Sequence, residues 1–396
     1  MRGWGYEARK CLLHPFLLVG AVILLILNGR MCLEEISRYQ AAVTQEYLTA
    51  QEEIYHRVGG PITLSNMEWI VSEHQRLNAV IQSGNFSTEY DPEGTYTGYV
   101  FSDNNLFNDI YEKARYTYEY ELYSSQIAQR AGENQTLYQD KGNERLAAWY
   151  AGMATAFEGR RVSEFYSTDG FALYFKYQFS NLSILILVLM GVYPVFSRER
   201  ETGMKTLLQL TPKGTKKARQ HKVLLILWFA WAVTTIFSLQ DVLFFFTAFG
   251  FQGWNNPLYA IPEFSNTPLT VSIGGFCIIN YLVKCLGVMV FSALVALAST
   301  ISPSDLIALL VSCILFGSQL LLNMIFPPAS FLPLLNSVQM CGDFQVVQIG
   351  GTSMPLLAER VIIQAGILLV LLSLMLVADV VASRDWKKGA VPCWRP

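Results

Sequence analysis

The sequence predicts an all-α polytopic membrane protein: six transmembrane helices, with a mainly helical or α+β external domain inserted between the first two. Three observations carry this. Hydrophobic residues make up 52% of the 396-residue chain and charged residues only 15%, with mean hydropathy +0.30, a balance too apolar for a soluble domain of that length. Six stretches contain roughly 20 mostly apolar residues, the length a bilayer demands. Finally, the segment 31–172 is long, polar and acidic, with 10 basic against 21 acidic residues.

The spans are expected at about 12–28, 176–196, 223–249, 272–300, 304–326 and 361–381. Arg2, Arg9 and Lys10 precede the first apolar run, as in a secretion signal. The sequence Asn28-Gly29-Arg30-Met31-Cys32 offers no small-residue cleavage site, so the run is expected to be a retained anchor. In the segment 31–172, apolar residues recur with helical spacing over Leu33–Arg57, Pro61–Ile81, Asn104–Arg130 and Asn143–Phe157. Turn residues cluster at Ser83–Gly98. Tyr116, Tyr118, Tyr120 and Tyr123 crowd the third of these helices. Amphipathic packing at the membrane surface explains them; the alternation also fits a strand or a ligand-binding aromatic patch.

Charge orients the spans. The N-terminus sums to +2, the loop 197–222 to +6 and the C-terminal tail to +3. Short basic flanks stay in the cytoplasm. Both termini are therefore expected inside, and 31–172 outside. Cys32 and Cys341 then share the outer side and could pair, although no spacing rule requires it.

The loop 197–222 carries eight Lys or Arg residues against Glu199 and Glu201. A helix is expected over Glu199–Leu210, with Met204, Leu207 and Leu208 on one face and Pro212 and Gly214 stopping it. A loop serving only topology needs no such face, whereas one that docks a soluble partner does. Beside two spans, the basic run Lys213–Lys222 fits anionic lipid headgroups better than nucleic acid.

Catalytic signatures are missing from the sequence. It holds no G-x-x-x-x-G-K-[ST] loop, no G-x-S-x-G elbow and no H-E-x-x-H pair, and His14, His56, His74 and His221 lack metal-ligand spacing. No enzymatic activity, metal or cofactor is expected in this chain. Two ionisable residues fall inside spans, Asp241 in the third and Lys284 in the fourth, at similar depth if the spans are adjacent and antiparallel. A charge in hydrocarbon costs about 2.5–3.5 kcal/mol even on lenient scales. The two are expected to form an interhelical ion pair or to line a substrate path, with Gln240, Asn280, Gln319 and Asn323 widening the polar interior.

Three pieces of sequence carry a resemblance. Tyr6–Pro15 reads as an amphipathic entry helix, Phe196–Pro212 as an E-x-E-x-G-x-x-x-L-L segment ahead of a Pro, with Lys222 opening the next span, and Pro327–Glu359 as a turn between spans five and six. Together they resemble permease subunits of ABC transporters of the type-2 exporter class, in the branch with a large external domain between the first two spans. The resemblance implies three parts: entry helix and first span over 1–30, external domain over 31–172, and five further spans over 173–396. Within the last part, 197–222 is implied to be cytoplasmic and 327–359 to form short re-entrant helices. Glu199, Glu201, Gly203, Met204, Leu207 and Leu208 are then expected to meet an ATPase. Implied partners are two ABC ATPase subunits, which bind the ATP and magnesium, a second identical or paralogous permease, and membrane lipid, with no nucleic acid. The rival expectation is a membrane receptor or immunity protein that binds a ligand through the external domain.

Overall fold

The computed structural model describes residues 14–83, 95–204, 214–349 and 352–389. Among these described residues, six helical stretches are long and apolar enough to cross a membrane: Pro15–Ala41, Asp169–Glu201, Ala218–Phe249, Ile273–Ile301, Asp305–Ile325 and Leu356–Val377. All six expected spans are among them. The first, α1 (Pro15–Ala41), starts with Pro15 at its first position, where the missing N–H is no loss. It runs without a break past residue 30 to Ala41.

The polar domain continues with α2 (Gln45–Val58), β1 (Gly60–Pro61), α3 (Leu64–Gln82), the 41-residue α4 (Val100–Asp140), α5 (Glu144–Phe157) and β2 (Glu164–Phe165). Thr44, Thr63 and Asn143 each accept a hydrogen bond from the first turn of the helix they precede, satisfying an orphan N–H. The antiparallel β1–β2 pair ties the start of α3 to the end of the domain. Leu106, Phe107 and Ile110 of α4 are fully buried against Ile54, Ile70 and Leu77, each worth about 1.5–3 kcal/mol relative to exposure. The turn cluster at 84–94 lies outside the described residues.

The Tyr-x-Tyr alternation is helical. Tyr116 and Tyr120 project from α4 and donate to the carbonyls of Tyr259 and Ser265, both at 2.7 Å, while Tyr123 donates to Asn266 Oδ1 at 3.0 Å. Tyr120 also stacks on Tyr259 at 4.8 Å. These tyrosines fasten the domain to the loop between spans three and four, and burial pushes the Tyr120 phenol up to about 12.

Span two is three helices end to end: α6 (Asp169–Lys176), α7 (Phe179–Val192) and α8 (Pro194–Glu201). Pro194 cannot donate back into α7, which breaks the helix there. Then come α9 (Gly214–Phe249), α10 (Ile273–Ile301) and α11 (Asp305–Ile325). The helix α10 is the most buried of the six and packs against α7, α8, α9 and α11. Between spans five and six lie a 3₁₀ turn (Pro327–Ala329), the single-turn α12 (Leu332–Leu335) and a second 3₁₀ turn (Ser337–Met340). An antiparallel hairpin follows, β3 (Val346–Ile349) with β4 (Thr352–Pro355), leading into α13 (Leu356–Gly389). The hairpin was not expected from sequence. Gln364 on α13 holds the preceding turns by donating to the carbonyls of Pro328 and Ser330, at 2.9 and 2.8 Å. Cys32 and Cys341 are both buried and both free thiols.

Candidate functional site

At the basic end of the bundle, the short helix α8 is bonded to three spans at once. Ser299, near the end of α10, accepts from the Phe196 and Ser197 amides, both at 3.0 Å. Arg200 donates from one nitrogen to the carbonyls of Ile301 (2.9 Å) and Ser302 (3.0 Å), and from the other to that of Thr300. A guanidinium there satisfies carbonyls that the end of α10 leaves open and complements its dipole. Ser197 Oγ donates to Asp305 Oδ1 at 2.6 Å, and Glu201 accepts from the Asp305 amide at 3.1 Å. Glu201 thereby caps the first turn of α11. From α9, the buried Lys222 reaches a Glu199 carboxylate oxygen at 2.5 Å and donates to the Val195 carbonyl at 3.0 Å.

These bonds correct the sequence reading of this segment. The helix described here starts at Pro194 and ends at Glu201, where Gly203 takes a left-handed conformation (φ 70°) that terminates a right-handed helix; residues 205–210 of the expected helix lie outside the described residues. Nor does Glu199 present its charge outward: it is nearly buried and paired with Lys222. Met204 is exposed on the rim of a groove of about 340 Å³ lined also by His14, Pro194, Val195 and Arg198. Leu207 and Leu208 lie outside the described residues.

A second polar cluster lies within the bundle. Asn28, fully buried on α1, donates to Asp241 Oδ1 (2.8 Å) and Gln240 Oε1 (3.1 Å), and its own side-chain oxygen accepts from the Tyr177 hydroxyl at 2.9 Å. Gln240 donates back to the Leu25 carbonyl at 2.9 Å. Among the described residues no salt bridge joins Asp241 to Lys284. The two instead line one small cavity with Tyr177, Gln178, Asn280 and Asn336. Asn280 accepts from Ser337 at 2.5 Å. Gln319 and Asn323 on α11 do not line this cavity.

Sequence reasoning missed Asn28 and Tyr177, which complete the cluster, and Arg200, Ser299 and Asp305, which complete the junction. Asn28 could have been flagged as a polar residue at the edge of an apolar run. The others are legible only once chain segments 100 to 149 residues apart are brought together. Among the described residues, no group of three metal-ligating side chains converges. Fold and site define a polytopic helical membrane protein. No protein-family model matches the chain, and no curated protein or solved structure matches it.

Proposed function

We propose that this chain is the permease subunit of an ATP-driven exporter of the ABC type-2 class. In this reading the polar domain lies outside, while α8, the loop that follows it and both termini lie in the cytoplasm. Separate cytoplasmic ATPase subunits bind ATP and magnesium and press on residues 199–210, and a second permease completes the pathway. The observation that carries the reading is the α8 junction. Glu199, Arg200 and Glu201 bond to α9, α10 and α11 respectively, so a displacement applied to this segment reaches three spans through named contacts. A loop serving only topology has no need of such bonds. The two glutamates act inside the chain, which leaves the exposed Met204 and the leucines beyond it as the candidate partner contact.

The test is affinity purification of the full chain in mild detergent. Leu207→Glu with Leu208→Glu is expected to preserve expression and membrane insertion while removing a co-purifying ATPase and transport. Burying two Leu side chains is worth about 3–6 kcal/mol before association costs, enough to decide assembly. Charge reversal at Lys216 and Lys217 is expected to be milder. A double-leucine variant that keeps its ATPase would eliminate this segment as the coupling element.

A further inference from the structure

The cavity beside Asp241 and Lys284 has no role in the junction that carries the proposed function. Its volume is about 10 Å³, the lower bound for holding one water molecule. The Lys284 side chain lines it, is nine-tenths buried, and makes no hydrogen bond or ion pair among the described residues. An ammonium so placed is costly unless something solvates it. Across the cavity stands Asp241, whose Oδ1 already accepts from Asn28 at 2.8 Å and from the Cys32 thiol at 3.7 Å. A carboxylate offers about four acceptor positions, so capacity remains. Asn336 adds a buried Oδ1 with no donor. The wall is completed by Tyr177 and Gln178, the two residues between α6 and α7 where span two is interrupted. Breaks of this kind at membrane depth are tolerated where they line a polar cavity.

We propose that the cavity is a binding site for a single water molecule that bridges the Lys284 ammonium to the Asp241 carboxylate, making the two a hydrated ion pair at the break in span two. The water donates to Asp241 and to Asn336 Oδ1 and accepts from Lys284, three partners in all, the usual number for a buried water. Apolar packing alone would leave Lys284 without a partner, and a direct ion pair would leave the cavity without a purpose.

The experiment measures the melting temperature of the full chain in lipid nanodiscs. Asp241→Asn and Lys284→Met should each lower it by several degrees, and combining them should recover more than half of the summed loss. Asn280→Leu fills the cavity while touching neither charge. It should lower the melting temperature in the native background and by less than half as much in the Asp241→Asn/Lys284→Met background. The bond from Ser337 to Asn280 is lost in both backgrounds and cancels in the comparison. Equal losses from Asn280→Leu in both backgrounds, or additive losses from the two charge changes, would overturn the proposal. Should a single variant fail to fold, the native protein decides the matter at a resolution that shows ordered water. Density between Asp241 and Lys284 supports the bridge, and direct contact between them removes it.

Discussion

Lys222 shows how one side chain fixes the basic end of the bundle. Its ammonium is buried at the foot of α9, against the Glu199 carboxylate and over the Phe196 ring at 5.1 Å. Removing one partner of a buried pair leaves an uncompensated charge and costs about 3–5 kcal/mol. Lys222→Met is therefore expected to lower the melting temperature sharply. Adding Glu199→Gln should return much of the loss, because the pair is then replaced by neutral groups. A double variant no more stable than Lys222→Met would show that the carboxylate does not need the ammonium. At Gly203 the issue is the backbone. An added Cβ meets no atom within 4 Å, yet φ is 70°, a conformation that costs an L-residue about 1–2 kcal/mol. Gly203→Ala should destabilise by about that amount, and Gly203→Asn by less, since Asn tolerates the left-handed region. Equal effects of the two would show that the turn relaxes.

The helical elements were legible to different degrees. Apolar runs of about 20 residues located all six spans, because a run of that length has few other uses. Amphipathic spacing located the domain helices, and helical packing also accounts for the tyrosines of α4. What could not be read were the breaks within span two and the hairpin β3–β4. Tyr177 and Gln178 are no stronger helix breakers than their neighbours; the interruption is tolerated through contacts with Asn28 on α1 and with the cavity between α9 and α10. Residue types alone also misplaced Glu199, whose sequence neighbourhood is basic and polar but whose partner lies 23 residues away on α9. The element-scale expectation concerns the docking of α4. Tyr116→Phe with Tyr120→Phe removes two hydrogen bonds to the 259–265 loop, each worth about 0.5–1.5 kcal/mol, and leaves the rings in place. Hydrogen exchange at 258–267 should rise while the core of α4 around Phe107 stays protected. Unchanged exchange in the loop would mean that ring packing alone holds the domain.

On the scale of the whole molecule, the domain and the bundle are joined at a second point by charge. Lys113 on α4 lies 2.7 Å from Asp109 and 2.8 Å from Asp169, the residue that opens α6, and Asp169 also accepts from Tyr39 of α1 at 2.8 Å. Burial lowers the Lys113 pKa, but the two carboxylates outweigh it and hold the group above the usual lysine value. A raised folded-state pKa stabilises fully below the unfolded value and is lost as pH rises through the folded one. This joint should therefore be insensitive to pH from neutrality up to about 10 and weaken only above that. Lys113→Met is expected to cost about 1.5–3 kcal/mol at pH 7 and to abolish the alkaline loss. A variant with the same alkaline profile as the native chain would assign that loss to the tyrosines instead.

The same joint bears on sidedness, because it ties α4 to the end of span one and the start of span two at one end of the bundle, while the α8 junction holds the opposite end. If the charge rule applies, the two ends face opposite compartments. Single cysteines at Ser83, in the polar domain, and at Thr215, in the basic segment at the start of α9, should then label oppositely with a membrane-impermeant maleimide in intact cells, in a background lacking the native cysteines. Ser83 is exposed at the end of α3, so access there does not depend on unfolding. Permeabilised cells should label both, which controls for reactivity. Labelling of Thr215→Cys from outside would reverse the orientation and with it the proposed ATPase contact. Labelling of both positions from outside would mean that the chain between them crosses the membrane an even number of times, and the six-span arrangement would fail.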